Sequence, residues 1–165
     1  MTLALTASVE IAGRYDKPAG LESPASVLAI NLAKAFADGA GAGQASVFYS
    51  ASRTLASGAT ESLDLNGTTL FDSFGQALAL TKIKGLIIYA RAANTTDLTV
   101  GNVTNGLATI FGAATQSFTL QPGEIFAKLT DSAAGYAVTA TTADLLKIAN
   151  AAGAAATYDI IIIGS

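Results

Sequence analysis

The chain has 165 residues, a length that suits one domain and lets roughly two-thirds of the unfolded chain's surface be buried. It has no cysteine and no histidine, which excludes disulfides, thiolate and imidazole metal sites, a cysteine nucleophile and the usual general base at neutral pH. Charged residues are 13% of the chain and the net charge is −3, with no run of lysine or arginine able to track a phosphate backbone, so direct nucleic-acid binding is not expected.

The hydrophobic fraction of 51% owes much to 35 alanines, which bury little area and suit interior or surface alike. The first residues, Met1 to Glu10, lack a positively charged segment and meet an acid early, so no export signal is expected. No apolar stretch reaches the roughly 18 residues of a membrane-spanning helix, and the chain is expected to be soluble. Thr2 to Ala12 alternates small polar with apolar residues and predicts a strand, followed by a turn-rich stretch from Gly13 to Pro24. The next segment, Pro24 to Ala37, combines good helix formers with Val27, Ile30 and Phe36, so a short helix and a strand or extended arm both remain open. It ends in the glycine-alanine loop Asp38 to Gln44.

From Ala45 onward, short β-prone runs are separated by Gly, Asn, Asp or Pro. Nine strands are predicted, at Ala45 to Ser50, Thr60 to Leu65, Ile83 to Ala92, Leu98 to Val100, Gln116 to Leu120, Ile125 to Leu129, Tyr136 to Thr139, Leu145 to Ala149 and Thr157 to Ile163. The pattern is that of an all-β chain, an antiparallel sandwich, with residues 45–165 as the sandwich domain and 1–44 as an N-terminal strand or arm plus loop, either separate from it or part of the same domain. Leu86 to Tyr89 and Ile160 to Ile163 are apolar at consecutive positions and need cover on both faces, which predicts central strands shielded by the opposing sheet and by loops or a partner. Glu61 to Leu65 and Gln116 to Leu120 alternate as strands near a sheet edge do. Asn94 to Asp97 and Asn150 to Gly153 read as hairpin connections, and Asn66-Gly67 and Asn105-Gly106 as tight turns.

The residues offer little for chemistry. Asp38, Asp72, Asp97 and Asp131 sit beside Gly, Ser or Thr, where a carboxylate commonly accepts local backbone hydrogen bonds. No spacing picks out a catalytic pair of acids, and the EF-hand pattern is missing. Gly39 to Gly43 is not followed by the Gly-Lys-Ser/Thr of a phosphate loop. Lys82 and Lys84 flank Ile83 and are expected on a solvated strand edge. Arg14, Arg53 and Arg91 are expected to pair with local carboxylates or solvent. No catalytic residue, cofactor or metal ligand is therefore assigned, and the chain is expected not to be an enzyme.

Several segments carry a resemblance. They are Gly41-Ala42-Gly43-Gln44-Ala45, Leu63-Asp64-Leu65-Asn66-Gly67, Lys82 to Ile88, Gln121-Pro122-Gly123, Ala134 to Thr139, Asp144 to Asn150 and Tyr158 to Gly164. With them the chain resembles small structural proteins of tailed bacteriophages and prophages, of the capsid decoration or cement type, over most of its length after about Gly39. The resemblance implies a jelly-roll-like sandwich, synthesis in the host bacterial cytoplasm and a place on the capsid surface of the virion. It also implies a homo-oligomer, a trimer, whose partner is the major capsid protein, with no direct contact to nucleic acid or membrane. Tail and head-fibre modules that bind the host surface share such sandwiches and are the alternative. For an interface, the continuous apolar character of Val27, Leu28, Ile30, Leu32 and Phe36 nominates the segment before the glycine loop.

Overall fold

A computed structural model describes residues 2–17 and 25–165. Most of the turn-rich stretch before Pro24, positions 18–24, lies outside the described residues. β1 (Ala4–Asp16) and β2 (Ala25–Asp38) pair antiparallel along their whole length, from Ala4 opposite Ala37 to Asp16 opposite Ala25. The segment left open between helix and strand is thus a strand. Its alanines are good helix formers, but propensity is a weak influence that tertiary pairing overrides: Val27 and Ile30 are stiff β-branched residues and β1 satisfies the backbone along one side. β3 (Gln44–Ala45) adds a short parallel bridge at the end of β2.

The rest of the chain is an all-β sandwich. Its strands are β4 (Val47–Leu55), β5 (Thr60–Asp64), β6 (Asn66–Phe71), β7 (Ala77–Ala79), β8 (Lys82–Ala90), β9 (Leu98–Gly101), β10 (Ser117–Leu120), β11 (Ile125–Leu129), β12 (Tyr136–Ala137), β13 (Leu145–Asn150) and β14 (Ala156–Gly164). One helical turn, α1 (Ala108–Phe111), lies between β9 and β10. One sheet has the order β11-β8-β14-β4, with β12 also on β8; the facing sheet has the order β10-β9-β13-β5, and every pairing in both is antiparallel. β6 and β7 pair only with each other and form a flap.

Periodicity explains the core. Alternate residues of β14 point to opposite faces, so Tyr158, Ile160 and Ile162 join Leu86, Ile88 and Ala90 of β8 in the space between the sheets. Leu63, Leu98, Val100, Leu146 and Ile148 meet them from the facing sheet. Ile161 and Ile163 face the other way, toward the root of β1 and β2. Both consecutive apolar runs are therefore central strands, and the arm's root supplies part of their outer cover. β5 and β10, the two alternating segments, are the edges of the four-stranded sheet.

Three local expectations are corrected. The connections 91–97 and 151–155 do not close hairpins, because each leads from one sheet to the other. They are held as corners by Asn94, which exchanges hydrogen bonds with the backbone of Thr157, and by Asn150, whose amide donates to the carbonyls of Leu55, Ala56 and Ala154 while accepting from Thr96. Asn66 and Gly67 lie within β6 rather than at a turn tip. Lys84 is not on a solvated edge but fully buried on a central strand.

Candidate interaction surfaces

The arm is built on one rule: residues directly opposite in an antiparallel pair share a face. Leu5, Ala7, Val9, Ile11, Gly13 and Tyr15 therefore share a face with Phe36, Lys34, Leu32, Ile30, Leu28 and Ser26, and this is the apolar side of the ribbon. The opposite side carries Thr6, Ser8, Glu10, Ala12 and Arg14 with Ala35, Ala33, Asn31, Ala29 and Val27.

The root of this ribbon is fixed to the sandwich in three ways. Phe36 is 2% exposed and packs with Ala45 and Ile163, joined at the margin by Leu5, Ala7, Phe48, Leu129 and Ile161. Gly85 keeps the floor flat, since a Cβ there would stand 2.9 Å from both Ile163 and Leu129 side-chain carbons. Polar groups add direction: Lys34 Nζ lies 2.8 Å from Asp131 Oδ2, and the Gly43 N–H donates to the Asp131 carbonyl at 2.8 Å. Lys34 holds the Asp131 carboxyl below its ordinary range.

Lys84 completes the root. The register between β8 and β14 shifts by one residue, with Ile163 opposite Gly85 but Gly164 opposite Ile83, so Lys84 is the extra residue of a bulge. This turns the lysine toward the glycine loop, where Nζ donates to the carbonyl of Gly41 and, at 3.4 Å, to that of Ala40. A cation among carbonyls with no carboxylate in contact is costly to bury, and desolvation, with some repulsion from Lys82, lowers its pKa. The loop after β2 is thereby a buried lysine's ligand shell and not a phosphate cradle.

From Ser8 onward every residue of β1 is exposed, as is every residue of β2 up to Ala33. Ile11 is 54% exposed, Tyr15 74%, Leu28 52% and Leu32 65%. Of the five residues nominated from sequence, Leu28, Ile30 and Leu32 lie on the apolar face and Val27 on the opposite one. Phe36 is corrected from interface to core, because it sits where the ribbon meets the sheet. Val9, Ile11 and Tyr15 of β1 were not nominated, although the alternation of Thr2 to Ala12 carries the signal of the first two; Tyr15 falls in the stretch read as turns. Where the ribbon leaves the sandwich, Ser8 and Val9 form a cleft of about 500 Å³ with Ile87, Ile125, Ala127 and Leu129.

A second uncovered surface belongs to the flap. Asp72 Oδ1 accepts the N–H groups of Phe74 and Gln76, an ordered turn that leaves Phe74 72% exposed beside an exposed Phe71. The sequence signal is the pair of phenylalanines around a short Asp-Ser turn. The remaining clusters are structural. Phe111, Phe118 and Phe126 stack in series, with ring centroids 5.8 and 4.5 Å apart, and close one open side of the sandwich. Glu61 of β5 clasps the facing sheet: one oxygen accepts the Tyr158 hydroxyl at 2.6 Å, and the other accepts both Nε and an Nη of Arg53 on β4. Burial and that hydrogen bond push the Tyr158 phenol well up. Arg14 and Arg91 pair with Asp16 and Asp159. Among the described residues no cluster of three or more acids could hold a metal ion, and no helix is long and apolar enough to cross a membrane.

The fold and these surfaces define a β-sandwich with a rooted, two-stranded, apolar arm. Comparison of the chain with family models, with curated proteins and with solved structures gives no match.

Proposed function

We propose that the chain is a structural protein of a virion, a capsid decoration or cement protein that binds the shell of major capsid protein and stabilises it without catalysis. The observation that carries this reading is the pair of uncovered apolar surfaces, arm and flap, on a sandwich whose own core is filled. A subunit embedded in a layer needs one surface for its neighbours and another for the shell beneath, and these two are built from different elements. The strand orders β11-β8-β14-β4 and β10-β9-β13-β5 support reading the sandwich as an eight-stranded jelly roll, an architecture that viral capsid and lectin domains use. The resemblance to phage decoration proteins supports the same reading.

The mechanism is burial of apolar area at roughly 25 cal/mol per Å², offset at each site by the cost of association and repeated over many sites. The test mixes purified protein with capsids lacking it and counts copies that co-sediment. Saturable binding at a stoichiometry compatible with the shell's symmetry is expected. Absence of binding to heads together with binding to host cells would replace this reading with that of a tail or head-fibre module.

A further inference from the structure

We infer that two copies of the chain join through the outer edges of their β1 strands, antiparallel and with Ala12 opposite Ala12, so that the two arms form one four-stranded ribbon. The inference rests on the reading of the chain as an assembling subunit and names the arm's partner as a second copy of the chain, a dimer in place of the trimer that the resemblance implies.

The free edge is the first observation. Among the described residues β1 is hydrogen-bonded to β2 on one side only, and its other side is an open edge of 13 residues. Long exposed edges are templates for pairing, and a two-stranded ribbon standing alone in water is marginal.

Register identifies the occupant. With Ala12 opposite Ala12 of the partner, Glu10 faces Arg14 and Arg14 faces Glu10, both on the polar side of the ribbon. On the apolar side the same register sets Ile11 against Gly13 and Val9 against Tyr15, bulky beside small and aromatic beside β-branched. Neighbouring registers that keep the apolar faces aligned lack this match. A slip of two residues one way sets Glu10 opposite Asp16, and the other way leaves both Glu10 and Arg14 facing neutral residues. Slips of four set Glu10 against Glu10 or Arg14 against Arg14. Opposite charges directly across a strand pair stabilise it and like charges destabilise it, so the sequence of one edge selects its own copy in one register. Among the described residues Arg14 pairs with the exposed Asp16, at 2.7 Å, a contact that a surface pair gives up readily.

The cleft gives an independent reason. Val9 lines it together with Ile87, Ile125, Ala127 and Leu129. The residue placed across from Val9 is the partner's Tyr15, the most exposed of the arm's large apolar side chains. Its ring stands over the cleft and covers Ile125, itself 63% exposed. The contact is isologous, so it closes at two copies.

The test uses the full chain without capsids. Sedimentation equilibrium is expected to give a dimer. Because the chain has no cysteine, single Ala4→Cys, Ser8→Cys, Ala12→Cys and Asp16→Cys variants give an unambiguous oxidation readout, with Ala12→Cys forming the symmetric disulfide most efficiently. Arg14→Glu is expected to weaken dimerisation about tenfold, Glu10→Arg likewise, and the double exchange to restore it. A monomer, a trimer, a cross-linking maximum at another position or a double exchange that fails to rescue would each overturn the inference. A chain that dimerises this way but ignores capsids keeps this contact and loses the decoration reading; a monomer that binds capsids does the reverse.

Discussion

β14 and β2 are almost equally apolar strands with opposite fates. In β14, Ile160 and Ile162 fill the space between two sheets while Ile161 and Ile163 lie under the arm's root, so both faces are covered within the chain. In β2 only Phe36 is buried, and Leu28, Ile30 and Leu32 stand exposed on the ribbon. Apolar content states how much burial a strand calls for. Whether the chain itself supplies the cover depends on what the topology places above each face, and the shortfall leaves an exposed apolar surface.

Stability measurements break or sharpen this contrast, beginning with the largest effect. Ile160→Ala leaves a cavity between the sheets and is expected to cost about 2–5 kcal/mol in denaturant unfolding, whereas Leu28→Ala in dilute protein stays within about 0.5 kcal/mol. Comparable losses at the two positions would mean that the arm is covered within one chain. Phe36→Asp belongs with the core: it buries a carboxylate against Ile163 and is expected to unfold the root, releasing protection of β1 and β2 amides from hydrogen exchange.

The second expectation concerns alkaline pH. The folded state holds the Tyr158 proton above its ordinary 10.0, so the unfolded chain ionises first and the stability from this group, complete below pH 10, is lost as pH rises beyond it. Lys84 acts in the opposite sense. Its folded pKa lies below the ordinary 10.5, so the cost of burying its charge is relieved as pH climbs from the folded value toward 10.5. Tyr158→Phe is expected to abolish the fall in denaturation midpoint above pH 10, and Lys84→Met to remove the preceding rise. Identical profiles for wild type and Tyr158→Phe would place the alkaline transition elsewhere.

The smallest effect is expected at the exposed pair between arm and sandwich. Asp131 carries a carboxyl held below its ordinary range by Lys34, so its contribution is present above that range and lost as pH falls through the folded value. Asp131→Asn should leave the core unchanged and raise amide exchange selectively near Lys34. A change spread over the whole sandwich would show that the arm's root is part of the global folding unit.

Much of the sandwich was legible because its signals are local. Alternation placed β5 and β10 at edges, and the runs at Leu86 and Ile160 announced strands with two covered faces. The long strand β2 was less legible, since alanine lowers the contrast between helix and strand and the decisive contribution comes from β1, a partner found only by pairing. The nomination of Leu28, Ile30 and Leu32 as a surface needing cover rested on composition alone, which could not separate them from Phe36.

The sequence by itself determined an all-β chain with no histidine or cysteine chemistry, two strands requiring cover on both faces and an apolar segment before the glycine loop. Only the tertiary structure decided which apolar residues are covered, that Lys84 is drawn inward by a one-residue bulge, and that Glu10, Ala12 and Arg14 lie along an open strand edge. The physical reason is common to all three. Hydrophobic periodicity fixes the face on which a side chain lies, whereas register and strand order fix what stands opposite that face, and these depend on contacts between residues far apart in the chain.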